Sequence, residues 1–215
     1  MTGWPKIDAV LTGESDNGPS GGRFDAEWRA RCAVVPCSIT DAMPFVKKHY
    51  LHKRPAIIRL CLMAMCEWRA IGCVVYSDPP RECSVRYGGV TWELSRLYLL
   101  DFIPRNAETW LIGQSVKYIK KHHQEVQCLV SYADPIAGHA GTIYRAANWR
   151  YDGDTDAGRL TPRCDYYDAR TGQKYGRKGN MPDGAVVERK PRTSKHRFVL
   201  SLRAALRAQP TGGKQ

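Results

Sequence analysis

The chain has 215 residues, 43% of them hydrophobic, which suits one globular domain with a sizeable core. Lysine and arginine total 33 against 21 acidic residues, and the net charge of +12 favours a polyanionic partner such as nucleic acid. The most apolar run, 57–76, is interrupted by charged residues, so a membrane span is excluded. The N terminus lacks the apolar core of a secretion signal. We therefore expect a soluble, cytoplasmic protein.

Eight cysteines are present, and none of them forms a C-x-x-C pair. Structural zinc sites usually take paired ligands at tighter spacing than is found here. Most of these cysteines lie inside apolar, strand-like runs, so we predict reduced thiols in the core and no disulfide framework.

The first elements follow a polar leader. Residues 1–28 are predicted to be flexible, because a stretch rich in Gly, Ser and Asp cannot build a core. A short strand is predicted over 32–36. Ser38 or Thr40 then caps a helix that runs to about Tyr50.

The central part of the sequence alternates between apolar strand-like and helical patterns. A β-hairpin is predicted over 57–67 and 70–77, and a third strand over 91–100. A helix over 104–121, a fourth strand over 126–132 and a second helix over 138–148 follow. This order is typical of a mixed α/β layer fold.

The remaining sequence changes character. The segment 152–194 is basic and poor in apolar residues, and it is too long for an idle loop, so we predict a functional segment with one or two short strands. A closing strand is predicted over 195–202 and a flexible tail over 204–215. Residues 29–203 then form a single catalytic domain that includes the basic segment.

A polar cluster follows the strand that ends near residue 132. Ser131 and Asp134 come directly off this strand, where ligands gather in open α/β sheets. His139 and Tyr144 lie near the start of the next predicted helix. Each of these residues alone has a structural explanation, such as capping or packing, but together they indicate a functional site.

The stretch S-Y-A-D-P-I-A-G-H-A-G-T-I-Y-R-A-A-N-W over 131–149 resembles the signature of the Mom proteins of Mu-like bacteriophages. Shorter segments match this family in order and spacing, namely His49-Tyr50, W-E-L-S-R-L-Y-L-L over 92–100, 104–107 and 194–197. The resemblance covers roughly residues 31–202.

The resemblance implies an N-acetyltransferase-like (GNAT-like) mixed central sheet flanked by helices, with a basic C-terminal insertion. It also implies conversion of adenine in DNA to N6-carbamoylmethyl (acetamido) adenine, which protects phage DNA from restriction. Two alternatives stay open. One is a GNAT-type acyltransferase acting on a protein or small amine, and the other is a non-catalytic nucleic-acid-binding protein.

The expected roles of the site residues follow from this chemistry. Asp134 orients the donor or accepts a proton from adenine N6, and Tyr144 acts as general acid. Arg96 binds a negative group of the donor, Ser131 fixes the donor by a hydrogen bond, and Asn106 contributes to cofactor binding. The opposite wall of the site is formed by His49 and Tyr50.

An acyl-type donor is expected, either acetyl-CoA or a charged transfer RNA. The place of the glycine-rich phosphate loop of GNAT enzymes reads R-N-A-E-T-W over 105–110, without glycine, which counts against acetyl-CoA. Iron is a further candidate cofactor, with His49, Glu93 and His139 as ligands, because imidazole and carboxylate suit non-haem iron.

The expected partners are double-stranded DNA and, as a candidate, a second copy of the chain in a homodimer, and no membrane is expected. Enclosing adenine N6 in a pocket requires base flipping, and Trp149, Tyr151, Tyr166 or Tyr167 would stack on the base. The phosphate contacts are predicted at basic residues of the C-terminal segment: Arg189, Lys190, Arg192, Lys195, His196 and Arg197.

Overall fold

The computed structural model describes residues 23–161, 163–175 and 180–202. Within these ranges there are five α-helices: α1 Ala26–Arg31, α2 Ile39–Lys48, α3 Arg81–Tyr87, α4 Ala107–His122 and α5 Thr142–Ala146. The same ranges contain ten strands: β1 Cys32–Pro36, β2 Ile58–Cys66, β3 Arg69–Ser77, β4 Val90–Leu99, β5 Val126–Ala133, β6 Arg150–Asp154, β7 Cys164–Asp168, β8 Lys174–Tyr175, β9 Val187–Pro191 and β10 His196–Ser201.

Seven strands form a central sheet in the order β1-β2-β3-β4-β5-β10-β6. All neighbours are antiparallel except β4 and β5, which run parallel. Their ladder extends only from the Val90–Val126 pair to the Glu93–Val130 pair. Beyond these pairs β4 stays with β3 and β5 stays with β10, so a wedge opens between their C-terminal halves.

The hairpin β2–β3 is covered on both of its faces. Leu111 and Ile112 of α4 pack on one face with Val74. Phe45 of α2 packs on the other face with Val75. Burial on both faces explains why these strands read as continuous apolar runs rather than as alternating ones. The predicted mixed α/β sheet flanked by helices is confirmed.

The ordered structure begins earlier than predicted. Phe24 is 2% exposed, and its ring centroid lies 4.9 Å from that of Trp110. Asp25 caps α1 by accepting from the Trp28 backbone N–H. The predicted leader, 1–28, is therefore wrong over its last residues, because Phe24 reaches the core. The rest of that leader and the predicted tail, 204–215, lie outside the described residues.

The helix predicted over 138–148 is confirmed only as the shorter α5, Thr142–Ala146, and a 3-10 turn at Pro135–Ala137 precedes it. Gly138 and Gly141 have left-handed φ values of 77° and 76°, which end helical geometry at both positions. A Cβ at Gly141 would lie 2.2 Å from the Phe198 ring, so close packing against β10 requires this glycine.

Two further elements differ from the sequence-based expectation. Helix α3 was not predicted. The basic segment contains four strands rather than one or two, and β7, β8 and β9 form a separate sheet in the order β8-β7-β9. The closing strand predicted over 195–202 is confirmed as β10, which lies between β5 and β6. Among the described helices, none has the length and apolarity needed to cross a membrane.

Candidate active site

A cavity of about 290 Å³ occupies the wedge between β4 and β5. Five segments meet there: the end of α2, the middle of β4, the end of β5, the loop leading into α5, and the residue before β10. Their lining residues include His49, Tyr50, Glu93, Arg96, Tyr132, His139, Tyr144 and Lys195. Residues far apart in the sequence thus share one cavity, as expected for the ends of diverging strands.

Glu93 is the acidic residue of β4 that faces this cavity. No hydrogen bond or ion pair holds its carboxyl group within the described part of the chain. Burial raises the pKa of Glu93 to about 7, although the positive charges of Arg96 and Lys195 oppose this shift. The group can therefore gain or lose a proton near neutral pH.

Arg96 lines the cavity with only part of its guanidinium committed. Its Nε donates to the Lys53 carbonyl oxygen at 2.9 Å, and its Nη1 donates to the Ser95 carbonyl oxygen at 2.5 Å. Nη2 has no partner among the described residues. Burial lowers the pKa of Arg96 from its ordinary value, yet a guanidinium stays charged in proteins. Arg96 therefore keeps a donor available for an anionic ligand, and its predicted contact with a negative group of the donor stays a prediction.

Tyr144 and Ser131 form a buried hydroxyl chain beside the cavity. Ser131 Oγ lies 2.8 Å from the Leu94 carbonyl oxygen and 2.8 Å from the Tyr144 hydroxyl. A carbonyl only accepts, and serine has one proton, so Tyr144 donates to Ser131 while Ser131 donates to Leu94. Burial raises the pKa of Tyr144 to about 12. Tyr144 therefore stays protonated at neutral pH.

The hydrogen bonds of this hydroxyl chain contradict the role predicted for Ser131, which was to fix the donor molecule by a hydrogen bond. Its hydroxyl is 1% exposed and already bridges Leu94 and Tyr144, so it does not present a free group to a donor molecule. Ser131 positions Tyr144 instead.

His49, Tyr50 and His139 form an aromatic wall opposite Tyr144, as expected for the first two. The ring centroid of Tyr50 lies 4.5 Å from that of His49 and 5.0 Å from that of His139. Burial, reinforced by Arg96, lowers the pKa of His49 to about 4, so this imidazole is neutral. Its Nδ1 accepts from the Leu51 backbone N–H at 3.2 Å, which leaves the proton on Nε2.

Asp134 lies at the rim rather than among the lining residues. Its Oδ1 accepts from the Ile136 backbone N–H at 3.1 Å, and its Oδ2 pairs with Lys195 Nζ at 2.9 Å. With both oxygens engaged, Asp134 holds Lys195 against the cavity and is poorly placed to accept a substrate proton. Lys195, predicted to contact phosphates, lines the cavity instead.

The predicted metal ligands do not form a ready site. Among the described residues, no three His, Cys, Asp or Glu side chains form a group that could hold a metal ion. The proposed set of His49, Glu93 and His139 shares the cavity without converging on one point.

The turn before α4 does not fit the pyrophosphate of acyl-CoA. Asn106, predicted to bind a cofactor, precedes α4 in a left-handed conformation and gives no side-chain cap. The first turn of α4 carries the acidic Glu108. The Phe24 backbone N–H donates to the Arg105 carbonyl oxygen at 3.0 Å, so another segment already pairs with this turn. Asn106 also lies outside the cavity lining.

Several predicted DNA contacts serve the fold. Trp149 is 3% exposed and packs on Tyr144 with ring centroids 5.5 Å apart, so it cannot stack on a base. Arg197 is 6% exposed and donates to the carboxylate and carbonyl of Asp152. His196 Nδ1 lies 2.7 Å from a carboxylate oxygen of Asp154.

The predicted phosphate contacts on β9 and just after it are also engaged. Arg192 pairs with Asp165 at 2.6 Å, and Lys190 pairs with Glu188 at 3.2 Å. Arg189 lies over the ring of Tyr166 at 5.9 Å. These cations therefore stabilise the small sheet.

Sequence reasoning considered Glu93 only as a metal ligand and missed its unpaired carboxyl group. The available signal was the position of a single acid in the buried strand W-E-L, where an unpaired charge is costly.

Two solved structures are among those to which this chain is similar. A GNAT family acetyltransferase from Elizabethkingia anophelis with acetyl-CoA bound is 13% identical, with 80% of this chain and 99% of that chain covered and a TM-score of 0.46. An IAA acetyltransferase from Bacillus cereus is 11% identical, with 80% and 99% covered and a TM-score of 0.49.

Sequence comparison gives a more specific assignment. A 65-residue stretch is 35% identical to the methylcarbamoylase Mom of Escherichia phage Mu, and it spans 30% of this chain and 27% of that relative. A model of the Mom protein family matches residues 31–213, which is most of the sequence. The chain therefore belongs to the Mom protein family.

Proposed function

We propose that this protein is a DNA hypermodification enzyme that converts adenine in DNA to N6-carbamoylmethyl adenine and so protects phage DNA from restriction. Family membership, the net charge of +12 and the cavity support this function. The observation that carries it is Glu93, an unpaired carboxyl in a cavity that also presents a cation, Arg96, and a protonated hydroxyl, Tyr144.

The reaction requires a base because N6 of adenine is a poor nucleophile whose lone pair is delocalised into the ring. N6 attacks the methylene carbon of a carbamoylmethyl donor, and the bond from that carbon to the leaving group breaks. Glu93, as carboxylate, accepts one N6 proton. The Tyr144 hydroxyl turns from Ser131 toward the leaving group, which departs with the electron pair and takes the Tyr144 proton.

The hydroxyl chain supports Tyr144 as the general acid. When Tyr144 gives up its proton, Ser131 can turn its own proton from the Leu94 carbonyl toward the phenolate. The proton held by Glu93 later returns to Tyr144 through solvent, which closes the cycle. Arg96 Nη2 binds a negative group of the donor.

The cavity is at the small end of ligand pockets, which enclose roughly 300–1,000 Å³. It suits one base rather than a duplex, so the adenine must be flipped out. Tyr50 and His139 line the cavity as a tilted aromatic pair and replace the buried Trp149 as the surface against which the flipped base packs.

Acyl-type donors, including a charged transfer RNA, and iron belong to this proposal only as candidates for the donor and cofactor. Simple acetyl transfer would place a carbonyl carbon on N6, whereas the proposed product carries a methylene carbon there. A donor that already presents the carbamoylmethyl group needs no rearrangement.

The test is mass spectrometry of nucleosides from plasmid DNA of bacteria that express the protein or its Glu93→Gln variant. We expect a carbamoylmethyl deoxyadenosine species with the intact protein and almost none with the variant. Unmodified adenine with both proteins, together with measurable acetyl-CoA binding and an acylated protein or amine, would favour an acyltransferase instead. DNA affinity without any modified base would favour a binding protein.

A further inference from the structure

We infer that residues 47–54, the last two residues of α2 and the turn after it, form the phosphate-binding edge across which duplex DNA reaches the cavity. We call this segment the basic turn; its sequence is K-K-H-Y-L-H-K-R. The inference rests on the proposed function, because it names the surface that holds the DNA substrate.

The charge of the basic turn is not neutralised by ion pairs with any residue that the structure describes. Lys47, Lys48, Lys53 and Arg54 are all exposed. The sequence from 42 to 66 contains no acidic residue. None of these four cations pairs with a carboxylate among the described residues. Such cations are free to replace the counterions of a phosphate backbone.

The basic turn has a defined shape. The His52 backbone N–H donates to the His49 carbonyl oxygen at 2.7 Å, and its ring Nδ1 lies 2.7 Å from the Lys47 carbonyl oxygen. His52 itself is left-handed, with φ of 47°. The Lys53 carbonyl oxygen accepts from Arg96 Nε at 2.9 Å. The exposed cations are therefore fixed relative to the cavity.

The location of the basic turn matches the demands of base flipping. His49, Tyr50 and Leu51 lie in its middle and line the cavity. A flipped base stays attached to its backbone, so the phosphates flanking it must lie at the cavity mouth. On the opposite side of the mouth, Lys195 is already paired with Asp134. The basic turn supplies the unpaired cations that those phosphates require.

A second lysine cluster provides a matched control. Lys117, Lys120 and Lys121 are exposed near the C terminus of α4. The end of this helix lies near the start of β4, since the His123 ring packs 4.9 Å from that of Trp92, and none of the three lysines lines the cavity. Replacing these lysines removes the same charge without touching the cavity mouth.

The experiment compares two triple variants of the full chain, Lys47→Gln/Lys48→Gln/Lys53→Gln and Lys117→Gln/Lys120→Gln/Lys121→Gln. Binding of each to a labelled DNA duplex is measured by fluorescence anisotropy between about 50 and 200 mM salt. For the basic-turn variant we expect affinity to fall roughly tenfold or more near 0.15 M salt, with the salt slope reduced by about 2–3. The control variant should lose less than about threefold.

A third variant, with arginine at positions 47, 48 and 53, should keep the affinity of the unchanged protein, because it retains the charge. Equal losses in both glutamine variants, or no loss in either, would overturn the inference. The binding measurement does not depend on catalysis. A protein that binds DNA through the basic turn but yields no modified adenine would therefore refute the proposed function and leave the inference standing.

Discussion

Two regions of the molecule hold a buried or partly buried carboxylate near arginine, and they use it in opposite ways. In the cavity between β4 and β5, Arg96 turns two nitrogens toward backbone carbonyls and leaves Glu93 unpaired. Near β6, Asp152 accepts from the Tyr87 hydroxyl at 2.6 Å and pairs with three arginines, Arg86, Arg150 and Arg197, at 3.0–3.2 Å.

The pKa values of the two acids shift in opposite directions for this reason. Burial raises the pKa of Glu93 to about 7 because its nearby cations are not hydrogen-bonded to it. Burial would also raise the pKa of Asp152, but the Tyr87 hydrogen bond and the three arginines outweigh it, so the pKa is lowered. Proximity of arginine alone therefore does not lower the pKa of a buried carboxyl group; direct ion pairs and hydrogen bonds do.

The largest expected effect is on catalysis, at Glu93, whose carboxyl group has no partner among the described residues. Glu93→Gln should lower adenine modification by about 100-fold or more, because general base catalysis contributes roughly 10²–10⁴-fold. Modification by the unchanged protein should rise with pH through about 7, as Glu93 ionises. The measurement is nucleoside mass spectrometry after timed reactions across this pH range. Glu125→Gln, at an exposed position, is the control and should leave modification unchanged.

The substitution Glu93→Gln should raise the stability of the folded protein above neutral pH, although it lowers catalysis. The folded pKa of Glu93 is raised, so its contribution to stability is fully present below the unfolded value of about 4.3 and is lost as pH rises to about 7. Glu93→Gln should therefore unfold at higher urea concentration than the unchanged protein at pH 8, and the difference should vanish near pH 4. A less stable variant at pH 8 would mean that Glu93 has an ionic partner.

At Asp152, whose carboxylate is paired with three arginines, the large effect should be on the free energy of unfolding. Asp152→Asn should lower the free energy of unfolding by about 3 kcal/mol, because three arginines lose their shared counter-charge in a buried setting. The pKa of Asp152 is lowered, so its contribution is present at neutral pH and lost in acid, below about pH 4. Urea unfolding at neutral and acid pH checks both points, and the variant should show the weaker acid dependence. Modification per folded molecule should stay near normal.

A smaller effect is expected where a hydroxyl serves the cavity. Tyr144→Phe should lower modification by about tenfold to 100-fold and stability by about 1 kcal/mol. Tyr76→Phe is a matched control, since the Tyr76 hydroxyl lies 2.7 Å from Ser115 Oγ within the core and away from the cavity lining. The control should lose similar stability and keep its activity. Equal activity losses in the two variants would remove Tyr144 from the reaction.

Local patterns were sufficient to predict the parts of the fold that depend on neighbouring residues. The hairpin β2–β3 and the strand β10 follow from apolar runs and alternation. The break at Gly138 and Gly141 depends on close packing against Phe198 in a distant strand. The small sheet depends on cross-strand pairs of tyrosines with lysine or arginine, such as Lys190 over Tyr167 at 5.1 Å. Such long-range contacts leave little trace in local sequence.

The site was predictable in its members more than in their roles. His49, Tyr50, Arg96 and Tyr144 do line one cavity. Whether a cation or acid is free, however, depends on a partner elsewhere in the chain. Arg197 was predicted to bind phosphate, but it is paired with Asp152, which lies 45 residues earlier in the sequence. Glu93 was predicted to be a metal ligand because its position in the wedge between β4 and β5 depends on the divergence of these strands, which local sequence does not indicate.

The smallest effect on DNA affinity is expected for Arg189, Lys190 and Arg192, which were predicted from the sequence to contact DNA. Neutralising Arg189, Lys190 and Arg192 with glutamine removes the same charge as either lysine triple. Arg192 and Lys190 are already paired with Asp165 and Glu188, so few counterions would be released from DNA at this sheet. We expect DNA affinity to fall by less than about threefold near 0.15 M salt, and stability by no more than about 1 kcal/mol, since these pairs are partly exposed. Anisotropy titrations beside the basic-turn variant measure the difference directly. A loss of affinity as large as that of the basic-turn variant would mean that cations paired with carboxylates bind DNA as well as unpaired ones. Pairing would then decide the behaviour of charged groups in the cavity but not on the surface.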